Sequence, residues 1–231
     1  MKDIFLVDAD DTILDFHGVS MTALKIAFEE NGIAWEDRFA TEYKLLNDSL
    51  WQALERKEIT RDELMEKRFH YFLARLQIDG VDGDKFNKSY LNYLSTHPVY
   101  LEDAKEFLTK LNEMGRVYIV TNGTEWIQKS RFDIAGLWGY AEDVFISQRI
   151  GADKPEKAYT DYVKAHIEGF DEKHAVWIGD SLSADIKAAN EGNITSIWFN
   201  PSKKPASDEI RPKYTVDNLL QILDVLKKIS H

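Results

Sequence analysis

Five short apolar runs punctuate the chain: residues 4–7 (Ile-Phe-Leu-Val), 117–120 (Val-Tyr-Ile-Val), 143–147 (Asp-Val-Phe-Ile-Ser), 175–178 (Ala-Val-Trp-Ile) and 194–199 (Ile-Thr-Ser-Ile-Trp-Phe). They are nearly continuous in apolar character, the pattern of strands covered on both faces. Segments with helical spacing lie between them. In residues 102–114, Ala104, Leu108, Leu111 and Met114 share one face and Gly115 follows as a stop. Residues 155–168 open on Pro155, suited to a first helical turn, and stop at Gly169; residues 182–191 stop at Gly192. Strand alternating with helix predicts an α/β fold, a doubly wound parallel sheet with right-handed crossovers.

Residues 17–97 break this rhythm with several helical patterns and no strand. Leu46, Leu50 and Leu54 share one face, and Met65, Phe69, Phe72 and Leu76 share another. Thr60 followed by Glu63 has the spacing of a capping box. The expectation is an all-helical insertion of roughly four helices after the first strand, leaving residues 1–16 and 98–231 as the core. No internal repeat or low-complexity segment is present.

Composition narrows the class. The chain has 231 residues, 44% hydrophobic and 30% charged, with 12 Gly and 5 Pro, a mixture that folds and can bury a sizeable core. It carries 29 basic and 40 acidic residues, a net charge of −11, and no Lys/Arg-rich stretch, which argues against a nucleic-acid polymer or an anionic membrane as partner. A small anionic substrate remains compatible, because a metal ion and one or two cations reverse the field inside a single cleft. The absence of cysteine excludes disulfides, thiolate nucleophiles and Cys-ligated zinc. The apolar run at 4–7 is too short for a signal peptide, and no stretch is long enough to span a bilayer. The expectation is a soluble, cytoplasmic protein of undetermined oligomeric state.

The polar residues that matter follow the strands. Asp8, Asp10 and Thr12 come after the first, Thr121, Asn122 and Gly123 after the second, Lys154 after the third, and Asp180 and Asp185 after the fourth. In an open parallel sheet the carboxyl ends of the strands form the ligand crevice, so all four sets meet at one edge. A carboxylate there can attack phosphorus and divide one displacement into two through an acyl phosphate, a role that falls to Asp8. Asp10 then protonates the leaving oxygen and later deprotonates water. Several carboxylates facing a phosphate dianion require a hard cation, and oxygen ligands point to Mg²⁺, held by Asp8, Asp180 and the Asp10 carbonyl. Thr121 and the amides near Asn122 and Gly123 are placed to hold phosphoryl oxygens, and Lys154 to neutralise charge on the transferring group. Thr12, Gly123 and Asp185 support the site. Each motif alone also reads as turn or cap chemistry; four in this order, each after a strand, favour catalysis.

These motifs together resemble the haloacid dehalogenase-like hydrolases: Asp8-Ala9-Asp10-Asp11-Thr12, Thr121-Asn122-Gly123, Lys154-Pro155, and Gly179-Asp180-Ser181-Leu182-Ser183-Ala184-Asp185. The resemblance spans the chain and implies that the helical insertion is a mobile cap over the site. The acid at Asp10, which the dehalogenases lack, implies phosphate chemistry. Residues 8–16, the stretch Asn47-Asp48-Ser49-Leu50-Trp51 with Glu58-Ile59-Thr60, and Trp198-Phe199-Asn200 are similar to the non-canonical pyrimidine 5′-nucleotidases. That implies a nucleoside 5′-monophosphate as substrate, with a sugar phosphate or other small phosphorylated metabolite as the alternative. A receiver-like phosphoaspartate signalling module is the non-enzymatic alternative, disfavoured because its acceptor Asp would lie on a later strand. Trp51 is a candidate to stack on a base or, equally, to pack within the helical insertion. His17 and His70 have no metal-ligand spacing and receive no role.

Overall fold

The computed structural model describes residues 3–229. Six strands form one sheet: β1 (Asp3–Val7), β2 (Gly115–Thr121), β3 (Asp143–Ile146), β4 (Ala175–Gly179), β5 (Thr195–Phe199) and β6 (Tyr214–Val216). Their order is β3-β2-β1-β4-β5-β6 and every pairing is parallel, with Val7 opposite both Ile119 and Ile178. This is the expected doubly wound parallel sheet, extended by β6.

Period-two side-chain direction divides the apolar strands between two cores. On one face Phe5, Val7, Val117, Ile119, Val176 and Ile178 pack with Phe107, Leu108 and Leu111 of α5 (Ala104–Met114) and with Ile222, Leu223 and Leu226 of α10 (Leu219–Ile229). On the other, Ile4, Leu6, Val120 and Trp177 pack with Tyr159 and Val163 of α8 (Lys157–His166) and with Ala188 and Ala189 of α9 (Lys187–Glu191). Each fully buried large side chain contributes about 1.5–3 kcal/mol, far more than local propensity, which explains why these strands stay apolar throughout.

Helix α6 (Glu125–Ala135) follows β2, and the one-turn α7 (Ser147–Ile150) follows β3. Two local expectations need correction. Pro155 lies outside α8, which begins at Lys157 after a cis Lys154-Pro155 peptide. The 182–191 segment opens as a π-helical turn, Leu182–Ile186, capped by Ser181, before α9. Gly115 ends α5 as expected and also opens β2, so the helix and the strand are contiguous.

The chain divides into two compact units, Met1–Phe16 with Pro98–His231 and His17–His97. The second is helical, with α1 (Phe16–Glu30), α2 (Arg38–Glu55), α3 (Arg61–Arg75) and α4 (Gly83–Thr96). Thr60 caps α3 in a reciprocal box with Glu63. The core of this unit is aromatic, with Phe28 stacked on Phe39 at 4.5 Å and Tyr43 over Phe69 at 5.7 Å. Helix α2 buries Phe39 and Tyr43, whereas Leu46, Leu50 and Leu54 are half-buried, so the leucine stripe marks the flank of the helix. The larger aromatic rings fill the centre.

Candidate active site

The residues singled out in the core unit converge at the carboxyl ends of β1, β2 and β4. Asp8 directly follows β1 and its amide donates to Ile178 O at 2.9 Å, which ties it to the neighbouring strand. The chain then turns tightly. Ile13 and Leu14 amides both donate to Ala9 O, the Asp11 amide donates to Leu14 O, and Asp11 takes a left-handed φ of 58°. Inside this turn Thr12 Oγ1 donates to Asp8 Oδ2 at 3.1 Å. Thr12 thus grips the candidate nucleophile itself.

Lys154 reaches the same carboxylate from the far side. Its Nζ donates to Asp8 Oδ1 at 2.6 Å, to Asp185 Oδ1 at 2.7 Å and to Val120 O at 2.9 Å. All three ammonium hydrogens are committed, so in this state Lys154 orients Asp8 and has no free donor for a phosphoryl oxygen. Burial opposes its charge, but Asp185 and Asp8 outweigh that and hold its pKa above the usual lysine range. Asn122 fixes the loop that carries it: Asn122 Nδ2 donates to Lys154 O at 2.9 Å and the Lys154 amide donates to Asn122 Oδ1 at 2.8 Å.

Asp8, Asp180 and Asp185 each offer a carboxylate oxygen within 4.8 Å of the others. Their duties differ. Asp185 Oδ1 accepts from Lys154 and from Trp177 Nε1 at 3.3 Å, and its Oδ2 accepts from the Ser181 amide at 3.2 Å. Both oxygens are engaged by the protein, which suits a support for Lys154. Asp180 is half-buried, with the exposed Lys204 ammonium at 3.8 Å. Burial, then repulsion from Asp185 and Asp11, pushes its carboxyl up to about 7. Burial likewise raises Asp8, against the opposing pull of Lys154. Two carboxyls strained in this way, with oxygens so close, fit a hard divalent cation that would relieve both.

The Asp10 side chain is not part of this cluster. Arg131 Nη1 donates to Asp10 Oδ1 at 2.5 Å and Gln128 Nε2 donates to Asp10 Oδ2 at 2.8 Å. Gln128 Nε2 also donates to Thr121 Oγ1 at 2.8 Å, and the Gly123 amide to the same oxygen at 3.1 Å. Sequence reasoning passed over Gln128 and Arg131. A signal existed: both lie on the buried face of α6 with Ile127 and Phe132, and a polar pair on a core-facing stripe needs a partner. Trp51 belongs to the helical unit, half-buried on α2 with the Arg61 guanidinium 5.6 Å over its ring.

Residues 2–193 match the haloacid dehalogenase-like hydrolases, and the chain belongs to that family of enzymes. It is 35% identical to the HAD-hydrolase YfnB of Bacillus subtilis (strain 168) over 221 residues, 96% of this chain and 94% of that protein. A crystal structure of YfnB bound to magnesium superposes with a TM-score of 0.91 at 34% identity, covering 97% of this chain and 98% of that one. The pyrimidine 5′-nucleotidase PynA of Streptococcus pneumoniae is 33% identical over 224 residues, 96% of this chain and 94% of that protein. The pyrimidine 5′-nucleotidase YjjG of Escherichia coli is 26% identical over 226 residues, 98% of each chain. Among the described residues no helix is long and apolar enough to cross a membrane.

Proposed function

We propose that the chain is a Mg²⁺-dependent phosphomonoesterase that passes through a phosphoaspartyl intermediate on Asp8, with pyrimidine nucleoside 5′-monophosphates as substrates. The observation that carries the chemistry is Asp8 held through both oxygens by Lys154 and Thr12 beside Asp180. The substrate class rests on similarity to PynA and YjjG over nearly the whole chain.

A carboxylate oxygen of Asp8 attacks phosphorus as the ester P–O bond breaks, and Asp10 gives its proton to the departing alcohol oxygen. Asp10 then takes a proton from water as that water's oxygen bonds to phosphorus. The P–O bond to Asp8 breaks, which releases phosphate and restores the carboxylate. Lys154 favours the ionised form of Asp8 and aims it, Asp185 aims Lys154, and Thr121 with the neighbouring amides holds phosphoryl oxygens. Asp8, Asp180 and the Asp10 carbonyl would hold Mg²⁺, which would supply the positive charge that lets a phosphate dianion approach these acids. Trp51 is the candidate base contact.

The test is a panel of 5′-nucleotides and sugar phosphates, with Mg²⁺ or EDTA, read as kcat/KM. Preference for UMP, CMP or TMP with loss in EDTA is expected. A higher kcat/KM on sugar phosphates would replace the substrate class and leave the mechanism intact; activity surviving Asp8→Asn would remove the mechanism.

A further inference from the structure

Gln128 occupies an unusual place: one side-chain amide nitrogen reaches two residues with different duties. Its Nε2 has two hydrogens, and the structure gives one to Asp10 Oδ2 and the other to Thr121 Oγ1, each at 2.8 Å. The amide can serve this way only with its nitrogen on this side. Arg131 enforces that choice, because its Nη1 donates to Gln128 Oε1 at 2.7 Å while also donating to Asp10 Oδ1. A flipped amide would set Nε2 against a guanidinium donor and Oε1 against a carboxylate. Both side chains are buried, Gln128 1% and Arg131 0% exposed, so water offers no substitute partner.

The consequence at Thr121 is directional. Its oxygen accepts from Gln128 and from the Gly123 amide, which uses both lone pairs. The hydroxyl hydrogen must therefore point elsewhere, and at this end of β2 it is free for a phosphoryl oxygen. At Asp10 both carboxylate oxygens are held, which fixes the plane of the group that is to meet the leaving oxygen. Gly123 completes the arrangement: a Cβ there would lie 2.4 Å from Gln128 Cγ, so the side chain can cross the loop only over glycine.

From this geometry we infer that Gln128, its amide locked by buried Arg131, is a positioning residue that couples the acid–base group Asp10 to the phosphate-binding hydroxyl of Thr121. The inference rests on the phosphomonoesterase reading and deepens it. It assigns to α6 the task of presenting proton donor and phosphoryl ligand in one geometry, which neither loop can set alone.

The test separates proton delivery from general loosening of the site. kcat/KM is measured for wild type, Gln128→Leu, Gln128→Glu and Arg131→Lys on an alkyl phosphate, whose leaving group needs a proton, and on p-nitrophenyl phosphate, whose leaving group scarcely does. Unfolding midpoints confirm that each variant folds, and Gln128→Leu, near in volume, serves if Arg131→Lys does not. The variants are expected to lose about 10²-fold on the alkyl ester and about tenfold less than that on the activated ester. In an Asp10→Asn background Gln128→Leu should add no further discrimination between esters, because residues that act as a unit are not additive. Equal losses on both esters, or discrimination that persists without Asp10, overturn the inference while the phosphatase reading stands. A wild type inert on both esters overturns the reading and the inference with it.

Discussion

Lys154 and Asp185 form a buried ion pair at 2.7 Å in which the lysine, 146 residues from Asp8 in sequence, is aimed back at the Asp8 carboxylate. The pair turns an otherwise flexible side chain into a fixed cation at the end of β1. Removing one partner of such a pair leaves uncompensated charge. Lys154→Met should therefore destabilise the metal-free protein by about 3–5 kcal/mol in urea unfolding, since Asp8 and Asp185 would both lose their cation. Adding Asp185→Asn to Lys154→Met should recover part of that loss. A single variant as stable as wild type would show that the ammonium is not needed to hold the carboxylates.

Asp180 gives a pH dependence with a definite sign. Its carboxyl, ordinarily near 3.8, is pushed up to about 7 in the folded chain, so the folded state binds the proton more tightly than the unfolded state does. Its contribution favours folding below the unfolded value and is lost as pH rises through the folded one. Without divalent cation, stability should fall between about pH 4 and pH 7, and Asp180→Asn should flatten that slope. Mg²⁺ needs the deprotonated carboxylates, so its upward shift of the unfolding midpoint should be larger at pH 8 than at pH 5.5. Scanning calorimetry with and without EDTA measures both effects.

Two glycines at the site, Gly179 and Gly123, are required by close approach, not by backbone angle. A Cβ at Gly179 would meet Asp185 Cγ at 2.3 Å, and one at Gly123 would meet Gln128 Cγ at 2.4 Å. Gly179→Ala must push away the residue that aims Lys154, and should cost about 1–3 kcal/mol with a large fall in kcat. Gly123→Ala should reproduce the leaving-group sensitivity of Gln128→Leu. Gly139, where a Cβ meets nothing within 4 Å, is the control, and Gly139→Ala should stay within about 0.5 kcal/mol of wild type by thermal unfolding.

Thr12 tests the second grip on Asp8. Thr12→Val keeps the shape and removes the donor to Asp8 Oδ2, a buried acceptor, at a cost of about 1–3 kcal/mol. Thr12→Ser retains the hydroxyl and should keep most of kcat. Steady-state kinetics on the best nucleotide distinguishes them: equal activity of the two variants would mean that the hydroxyl only supports the turn.

Much of this protein is local information. The five apolar runs lie within or overlap five of the six strands, because a strand buried on both faces must be apolar at nearly every position. The placement of Asp8, Asp180 and the Thr121 tripeptide also follows from position alone, since a residue that ends a parallel strand stands at the ligand edge wherever the strand lies in the sheet. β6 escaped because it is three residues long, and only Val216 in it is buried.

Other features exist only once the chain has folded. Asp10 meets Gln128 and Arg131 across 118 and 121 residues, contacts set by how α6 packs and by no nearby motif. The division of labour between Asp180 and Asp185 is equally tertiary. They are chemically identical and five residues apart, but Lys154, Trp177 and Ser181 consume the oxygens of Asp185 and not those of Asp180. Sequence by itself determined which side chains stand at the sheet edge, through strand burial and chain order. Only the tertiary structure decided which oxygens are already spent, because hydrogen-bond capacity is finite and is allocated by residues far away in the chain.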